Sequence, residues 1–450
     1  MTLSRRNVLS TGVAAGIAVG ATSGPRPAVA RSASAQLHLS LLGNSTVDQA
    51  PALQAAIDSA APHGEPVVLP SGRFRVGPLQ LRSGTRLIGA EGATVLEYAG
   101  GGAFITAQDA ESIVIEGMTL DGAYLPLDAS RTDALLSLRN VRGLQISCLT
   151  LTRSPANCIT LEGCSGRVAD CNISNAMLAA IHSIDAAGIE ITHNAIADCG
   201  NAGIHVWRSE PGEDGSIVSG NRIVRIRADA GGTGQNGNGV NVFKAGGVLV
   251  SDNRITDCAY TAVRANSASN IQIIGNSCAR LGEVALYAEF AFEGALIANN
   301  LVDTAAAGIS VTNFNDGGRL AVVQGNLIRN LFRREHEPVD KRGHGITVEA
   351  DTALTGNVVE QAATAGIVIG WGPYTREVVA TGNLVRASRV GILVSSHPGA
   401  GACLLANNMI SGAPDGAIRA MDDNGAPIGP DLAQGGRNDK LLSIAGNLSV

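Results

Sequence analysis

An asparagine recurs through most of the chain at a nearly constant interval, and it limits the possible folds more than any other feature. Asn194, Asn221, Asn253, Asn300, Asn326, Asn357, Asn383 and Asn408 each lie two residues before an aliphatic side chain, with a weaker copy at Asn276 and one displaced by a residue at Asn172. Successive spacings are 22, 27, 32, 23, 24, 26, 31, 26 and 25, so the unit is about 26 residues with insertions. A second anchor lies between the asparagines: Gly203-Ile-His-Val, Gly239-Val-Asn-Val, Gly308-Ile-Ser-Val, Gly345-Ile-Thr-Val, Gly366-Ile-Val-Ile and Gly391-Ile-Leu-Val, with Ala180, Ala262 and Ala285 opening the copies in other units.

Apolar residues alternate with period two in short runs between Gly and Asn turns, and no helical pattern of ten or more residues intervenes. Leucine-rich and helical solenoids fail on that point. A propeller needs longer blades with recurring aromatics, and aromatic residues are 3% of the chain. One unit cannot bury its apolar face alone. Stacked units, ~4.8 Å apart, pair every strand with its copy in the next coil and close a narrow core. With 45% hydrophobic residues, that core is aliphatic. The predicted fold is all-β, a single-stranded right-handed parallel β-helix over residues 31–450, most regular over 165–412. Asn suits its turns because the amide donates to and accepts from neighbouring coils and tolerates the left-handed conformation. After Asp48, residues Leu53, Ala56, Ile57 and Ala60 share one helical face, which predicts a short helix over 48–61 capping the open end of the barrel.

The first thirty residues read as an export signal. Ser4-Arg5-Arg6-Asn7-Val8-Leu9 resembles the twin-arginine motif, and a weakly apolar stretch and an Ala28-Val29-Ala30 cleavage pattern follow. The apolar stretch is too short for a permanent anchor. The expected product is periplasmic or secreted, without a stable membrane anchor, and its export partner is the twin-arginine machinery. Losing Arg5, Arg6 and Arg26 and no acid leaves 30 basic residues against 39 acidic, a net charge of −9. No Lys/Arg cluster offers a row of phosphate contacts, so nucleic acid is excluded as a partner. The eight cysteines form no Cys-x-x-Cys pair and no zinc spacing. Cys199 and Cys258 fall at equivalent repeat positions, which suits small buried fillers. Free, packed thiols are expected, with an oxidised pair as the alternative.

Ala52-Leu-Gln-Ala-Ala-Ile57, Val68-Leu-Pro-Ser-Gly72, Leu87-Ile-Gly89 and Ile115-Glu-Gly-Met-Thr-Leu-Asp-Gly122 together resemble the opening of the pectin-lyase-like superfamily. The export signal combined with repeats of this size is similar to the twin-arginine-translocated β-helix repeat family of bacteria. The resemblance spans nearly the whole mature chain and implies the fold. It implies little chemistry, because these residues are cap, turn and core positions.

In the second anchor the aliphatics point inward, so the residues between them form columns on one outer face. The first column reads His182, His205, Asn241, Arg264, Tyr287, Ser310, Thr347, Val368 and Leu393. The next reads Ile184, Trp207, Phe243, Asn266, Glu289, Thr312 and Glu349, with Arg208 and Lys244 just past the strand ends. Insertions at 122–134, 227–238 and 332–344 precede the strand, and those at 208–215, 313–318 and 370–376 follow it, as the walls of an expected cleft. Trp207, Phe314, Trp371 and Tyr374 offer flat rings to sugar faces.

The expected partner is therefore a polysaccharide, bound by His182, Trp207, Arg208, Asn241, Asn266, Phe314, Trp371 and Tyr374. On a uronate, elimination or epimerisation begins with removal of the C5 proton beside a carboxylate. His205 or Tyr287 is the expected base, Arg264 or Lys244 the cation facing the carboxylate, and Glu289 the group orienting Tyr287 or Arg264. The competing expectation is a non-catalytic carbohydrate-binding or envelope scaffold, with these residues on a solvated sheet. Gly343-His344-Gly345 matches one polygalacturonase motif, but the paired acids, Asp422-Asp423, follow it instead of preceding it. The match is read as coincidence, since inverting hydrolysis needs two carboxylates flanking the bond. The Asp-Pro-His-Asp signature of mannuronan C5-epimerases is absent. No cofactor or metal site is expected. Residues 313–318 carry oxygen donors that suit calcium but read as a tight turn.

Overall fold

The computed structural model describes residues 41–232, 234–334, 342–434, 437–438 and 441–450. The expected export signal at 1–30 lies outside these residues. Each coil contributes three short strands, for example Glu190–Thr192, Ala195–Ala197 and Ala202–Glu213. One strand per coil joins a 16-stranded sheet and the other two a 28-stranded sheet, so the chain winds as a three-sided solenoid. Successive coils pair in parallel; antiparallel pairing among the described residues occurs at the C-terminal end, at Ala420–Ile428 and Arg437–Ile444, and in an isolated bridge between Trp371 and Tyr374.

Register places like above like. Ile173, Ile196, Ile223, Ile255, Cys278, Val302, Ile328, Val359, Val385 and Ile410 form one continuous inward column. Each is essentially inaccessible to solvent. The column runs through Cys278 without a break because a thiol packs like a small aliphatic group. All eight cysteines are free, and burial raises the thiols of Cys171, Cys199, Cys278 and Cys403 to about 12. Cys258 pairs with Ile226 in the neighbouring coil, the interchange expected of a filler.

Glycine opens the second anchor for a steric reason. A Cβ on Gly345 would stand 2.1 Å from the Gly366 carbonyl oxygen, and one on Gly203 would stand 2.4 Å from that of Gly239. The helix Ala50–Ala60 buries Leu53, Ala56, Ile57 and Ala60 over the barrel end as expected. The Asp48 carboxylate accepts from the backbone N–H of Ala50 and of Gly77, tying the cap to the first coils.

The asparagines form an internal ladder. In Asn300 the amide nitrogen donates to Asn326 Oδ1 at 3.0 Å and to the Ile273 carbonyl at 2.9 Å, and the backbone N–H donates to the same Asn326 oxygen. Its own Oδ1 accepts from the backbone and amide nitrogens of Asn276. Both donors and both acceptor positions are thus used in a buried site. The pattern repeats at Asn194, Asn221, Asn253, Asn276, Asn326, Asn357, Asn383 and Asn408.

Asn172, the copy displaced by one residue, is exposed and outside the ladder, whose first rung is the Cys171 backbone N–H donating to Asn194 Oδ1. One detail differs from expectation. The left-handed residue is not the ladder asparagine but the one before it: Asp170, His193, Gly220, Asp252, Gly275, Asn299, Gly325, Gly356, Gly382, Asn407 and Gly446 all have φ between 55 and 71°. Turning the corner one residue early lets the asparagine amide point inward along the stack. A further rung, Asn447, accepts from Asn408 and extends the ladder past the regular repeats.

Asn300→Ala should lower the unfolding free energy by about 3 kcal/mol, because it strands two buried donors of Asn276 and removes donors to Ile273 and Asn326. Asn172→Ala should change it by less than about 0.5 kcal/mol. Denaturant titration of both variants checks the pair.

Candidate functional site

The outward columns exist in the register expected. His182, His205, Asn241, Arg264, Tyr287, Ser310, Thr347, Val368 and Leu393 are successive strand partners, as are Ile184, Trp207, Phe243, Asn266 and Glu289. They are not a solvated face. His205, Asn241, Arg264, Tyr287, Ser310 and Thr347 are each buried, at 7% exposure or less. Neighbouring loops fold back over them. Gln235 presents its carbonyl to His205 Nε2 at 3.2 Å, and the Gly234 carbonyl accepts from the Asn241 amide at 2.9 Å. Further along the stack, Arg334 donates to the Gly282 carbonyl and stacks on Tyr260.

Under this cover the expected residues separate into three groups. The first is a ladder of rings. His205 stacks on Trp207 at 4.3 Å, His182 meets both edge-on, and Trp207 meets Phe243 edge-on at 5.9 Å. Trp207 Nε1 donates to Asn241 Oδ1 at 2.8 Å. Since the Gln235 carbonyl only accepts, His205 carries its proton on Nε2, and its Nδ1 accepts from His182 Nδ1–H at 3.1 Å. Both ring nitrogens of His205 are therefore engaged. Burial, reinforced by His182, lowers its pKa to about 3. Lys244 donates to the Ser209 carbonyl and lies over Phe243, and Arg208 reaches the Ala186 carbonyl.

The second group is a buried ion cluster. Arg264 Nε donates to Glu289 Oε1 at 2.6 Å, Arg264 Nη1 stands 3.6 Å from Glu283 Oε2, and the Asn266 amide also donates to Glu289 Oε1. The guanidinium lies 5.1 Å from the Tyr287 ring centre. Burial works against the charge of Arg264, but the Glu289 carboxylate outweighs it and holds the pKa above the usual value. Glu289 thus pairs with Arg264. It also commits that cation to a partner.

The third group forms a cavity of about 430 Å3 lined by Tyr287, Thr312, Asn313, Asn315, His344, Thr347, Glu349, Val368, Gly370, Trp371 and Tyr374. The floor comes from the stacked strands. The walls are the loops at 313–318 and 370–376. Asn313 and Gly317, both left-handed, bracket a single 3-10 turn at Phe314–Asp316, the tight turn expected there. Glu349 Oε2 accepts from the Phe314 backbone N–H at 2.7 Å, which joins the floor to one wall. Arg376 stacks on Phe314 at 4.5 Å and pairs with Asp351, covering a ring face expected to meet sugar. Trp371 and Tyr374 bridge each other across the second wall.

His205, Arg264 and Tyr287 therefore do not converge. At ~4.8 Å per coil, His205 stands roughly 14 Å from Tyr287, whereas Arg264 and Tyr287 are adjacent. Tyr287, Trp371 and Tyr374 alone among the expected site residues line the cavity. Sequence reasoning missed Glu349 and His344 as members. Glu349 stood in the second column but was given no role. His344 lies at the head of its strand, where a third outward column runs through Val284, Ala307, His344, Ala365 and Val390. Among the described residues no three His, Cys, Asp or Glu side chains stand close enough to hold a metal ion.

The family described as "Right handed beta helix region" matches residues 134–231, 157–328 and 214–410, more than half of the chain. No curated protein matches it in sequence. The tailspike protein of E. coli bacteriophage HK620 in complex with pentasaccharide aligns with TM-score 0.57 and 12% identity, covering 85% of this chain and 76% of that one. The pre-mature gene product 12 of bacteriophage phi29 aligns with TM-score 0.50 and 16% identity over 87% of this chain, which spans 57% of that protein. At these identities the likeness is one of fold.

Because the folded-state pKa of His205 lies below the ordinary 6.5, the unfolded chain binds a proton that the folded chain refuses between pH 6.5 and about 3. Stability linked to His205 is complete above pH 6.5 and falls as pH drops through that window. His205→Gln should flatten the decline by up to about 1.4 kcal/mol per pH unit relative to wild type, measured by denaturation at several pH values.

Proposed function

The chain belongs to the right-handed β-helix family, and on that premise we propose that it is an exported polysaccharide-binding protein whose glycan site is the cavity of Tyr287, Glu349, Trp371 and Tyr374. The observation that carries this reading is the convergence, in one recess of about 430 Å3, of three aromatic rings with hydroxyl, amide and carboxylate groups. Flat rings cover the C–H faces of pyranoses while a few polar groups fix the hydroxyls. The pentasaccharide carried by the HK620 tailspike supports the reading as an analogy of fold.

Uronate proton abstraction does not belong to this reading. It needs a cation for the developing enolate, and Arg264 is committed to Glu289 and Glu283. Lys244 lies near Phe243 and Ser209, two coils from the Tyr287 strand along the register. Binding is the function assigned to the site. For any turnover the cavity offers Glu349 and His344 as proton-transfer groups.

Calorimetric titration with a panel of oligosaccharides tests the site. Trp371→Ala should weaken glycan affinity at least tenfold, by about 1.4 kcal/mol or more, with an unchanged melting temperature. Trp207→Ala should leave affinity within a factor of two, since that ring is stacked on His205. Binding that survives Trp371→Ala intact refutes the assignment.

Export is the second part of the proposal, supported by the twin-arginine-like run at 4–9 and the cleavage pattern at 28–30. Replacing both arginines, Arg5→Lys with Arg6→Lys, should trap the precursor in the cytoplasm. Fractionation and mass measurement of the intact chain should find the wild-type product beginning at Arg31.

A further inference from the structure

We propose that a groove of about 640 Å3 beside the capping helix is a second binding site, which takes an anionic saccharide by its carboxylate or phosphate oxygens. Its floor continues the outward columns toward the N-terminus. Gln80, Thr106 and Ser137 are successive strand partners leading through Thr160 to His182, and Gln108 and Arg139 lead through Glu162 to Ile184. Gln54 reaches the groove from the helix and is bonded in both directions to the Gln80 backbone. Ser137 lies six coils before Tyr287, roughly 29 Å along the stack, so the groove is separate from the cavity. Three guanidinium groups line it, those of Arg82, Arg131 and Arg139, and no described lining residue is acidic or aromatic. In a chain of formal net charge −6 this is a local reversal of sign. No basic run marks it in sequence, because stacking gathers the three arginines from separate coils.

Elsewhere on the surface a single carboxylate closes off an arginine. Arg225, Arg280 and Arg376 each donate from Nε and Nη2 to both oxygens of one aspartate. The groove arginines are held by less. Arg82 and Arg139 meet Asp58 and Glu162 through Nε, at 3.0 and 2.8 Å. Arg131 Nε stands 3.9 Å from Asp128, a carboxylate that already accepts from the Ser130 hydroxyl and backbone N–H. No hydrogen bond among the described residues reaches an Nη atom of these three. Their paired Nη donors match the spacing of carboxylate or phosphate oxygens, and a guanidinium keeps its charge at any working pH. Ser137 and Gln80 add a hydroxyl and an amide suited to sugar hydroxyls, whereas no ring is present on which a nucleobase could stack. That combination favours a charged sugar over a nucleic acid.

The test is calorimetric titration of the wild-type protein at low ionic strength, where exposed charges are least screened. The probes are a uronate oligosaccharide, a phosphorylated oligosaccharide and a neutral oligosaccharide of equal length. At least one anionic probe should bind, at least tenfold tighter than the neutral chain, and the arm that binds identifies the oxyanion. Arg131→Gln with Arg139→Gln should weaken that binding at least tenfold. Ser137→Glu should do the same, since it removes no ion pair and sets a carboxylate among the arginines. Both variants should keep the wild-type melting temperature, and Trp371→Ala should leave the anionic probe bound. Anionic probes that bind no better than the neutral chain, or that bind both groove variants undiminished, overturn the inference. An oligonucleotide of equal charge that binds as tightly, with the same loss in the groove variants, also overturns it, because the groove then reads charge alone. Binding lost in Trp371→Ala but kept in the groove variants belongs to the cavity: the inference falls and the glycan reading of the cavity stands. Binding lost in the groove variants but intact in Trp371→Ala upholds the groove, whatever the fate of the cavity.

Discussion

Parallel pairing between successive coils, in a register that shifts at bulges between Trp207 and Gly212 and between Leu281 and Val284, is the constraint on which the rest depends. A strand that repeats every ~4.8 Å aligns residues some 26 positions apart in sequence and holds them closer than most side chains reach. The hydrogen bonds of the asparagine ladder enforce that register from within. Each rung satisfies its neighbours, so a slip in one coil would strand buried donors in two others. The aliphatic columns tolerate substitution, as Cys278 among isoleucines and valines attests. The amide ladder does not, since only asparagine supplies two donors and an acceptor in that volume.

The outer face inherits this order but adds a second layer of decisions. Alternation along each strand places His205, Arg264 and Tyr287 in one column, yet each acquires a different environment from the loop that crosses it. His205 is sealed under the 227–238 segment and becomes a neutral, fully bonded ring. Arg264 is buried with two carboxylates and serves as an internal strut. Tyr287 alone faces a recess. Groups that look interchangeable as a row of polar side chains are thus divided between packing and recognition.

The sequence reading anticipated the solenoid, the capping helix and the inward stacks, because all of these follow from local periodicity. It set Asn172 apart as a copy displaced by one residue, and the structure agrees. That exposed residue is one position late, and the equivalent site is occupied by Cys171, whose backbone N–H suffices at the end of a ladder. It also assigned the left-handed turn to the ladder asparagine, whereas the preceding Gly, Asn, Asp or His adopts it. His344 was set aside as a chance motif because the acids expected around it are absent, and only the third outward column reveals that it lines the cavity.

Periodic spacing by itself determined the winding of this chain, since hydrophobic alternation and a recurring amide leave only one way to bury both. Which outward side chains meet solvent was decided by the tertiary structure alone. Loop closure depends on contacts between segments far apart in sequence, such as Gln235 with His205, Phe314 with Glu349 and Arg334 with Gly282. Such contacts carry no period. Whether a polar residue is sealed, paired or presented depends on what crosses above it, and no count along a single strand contains that information.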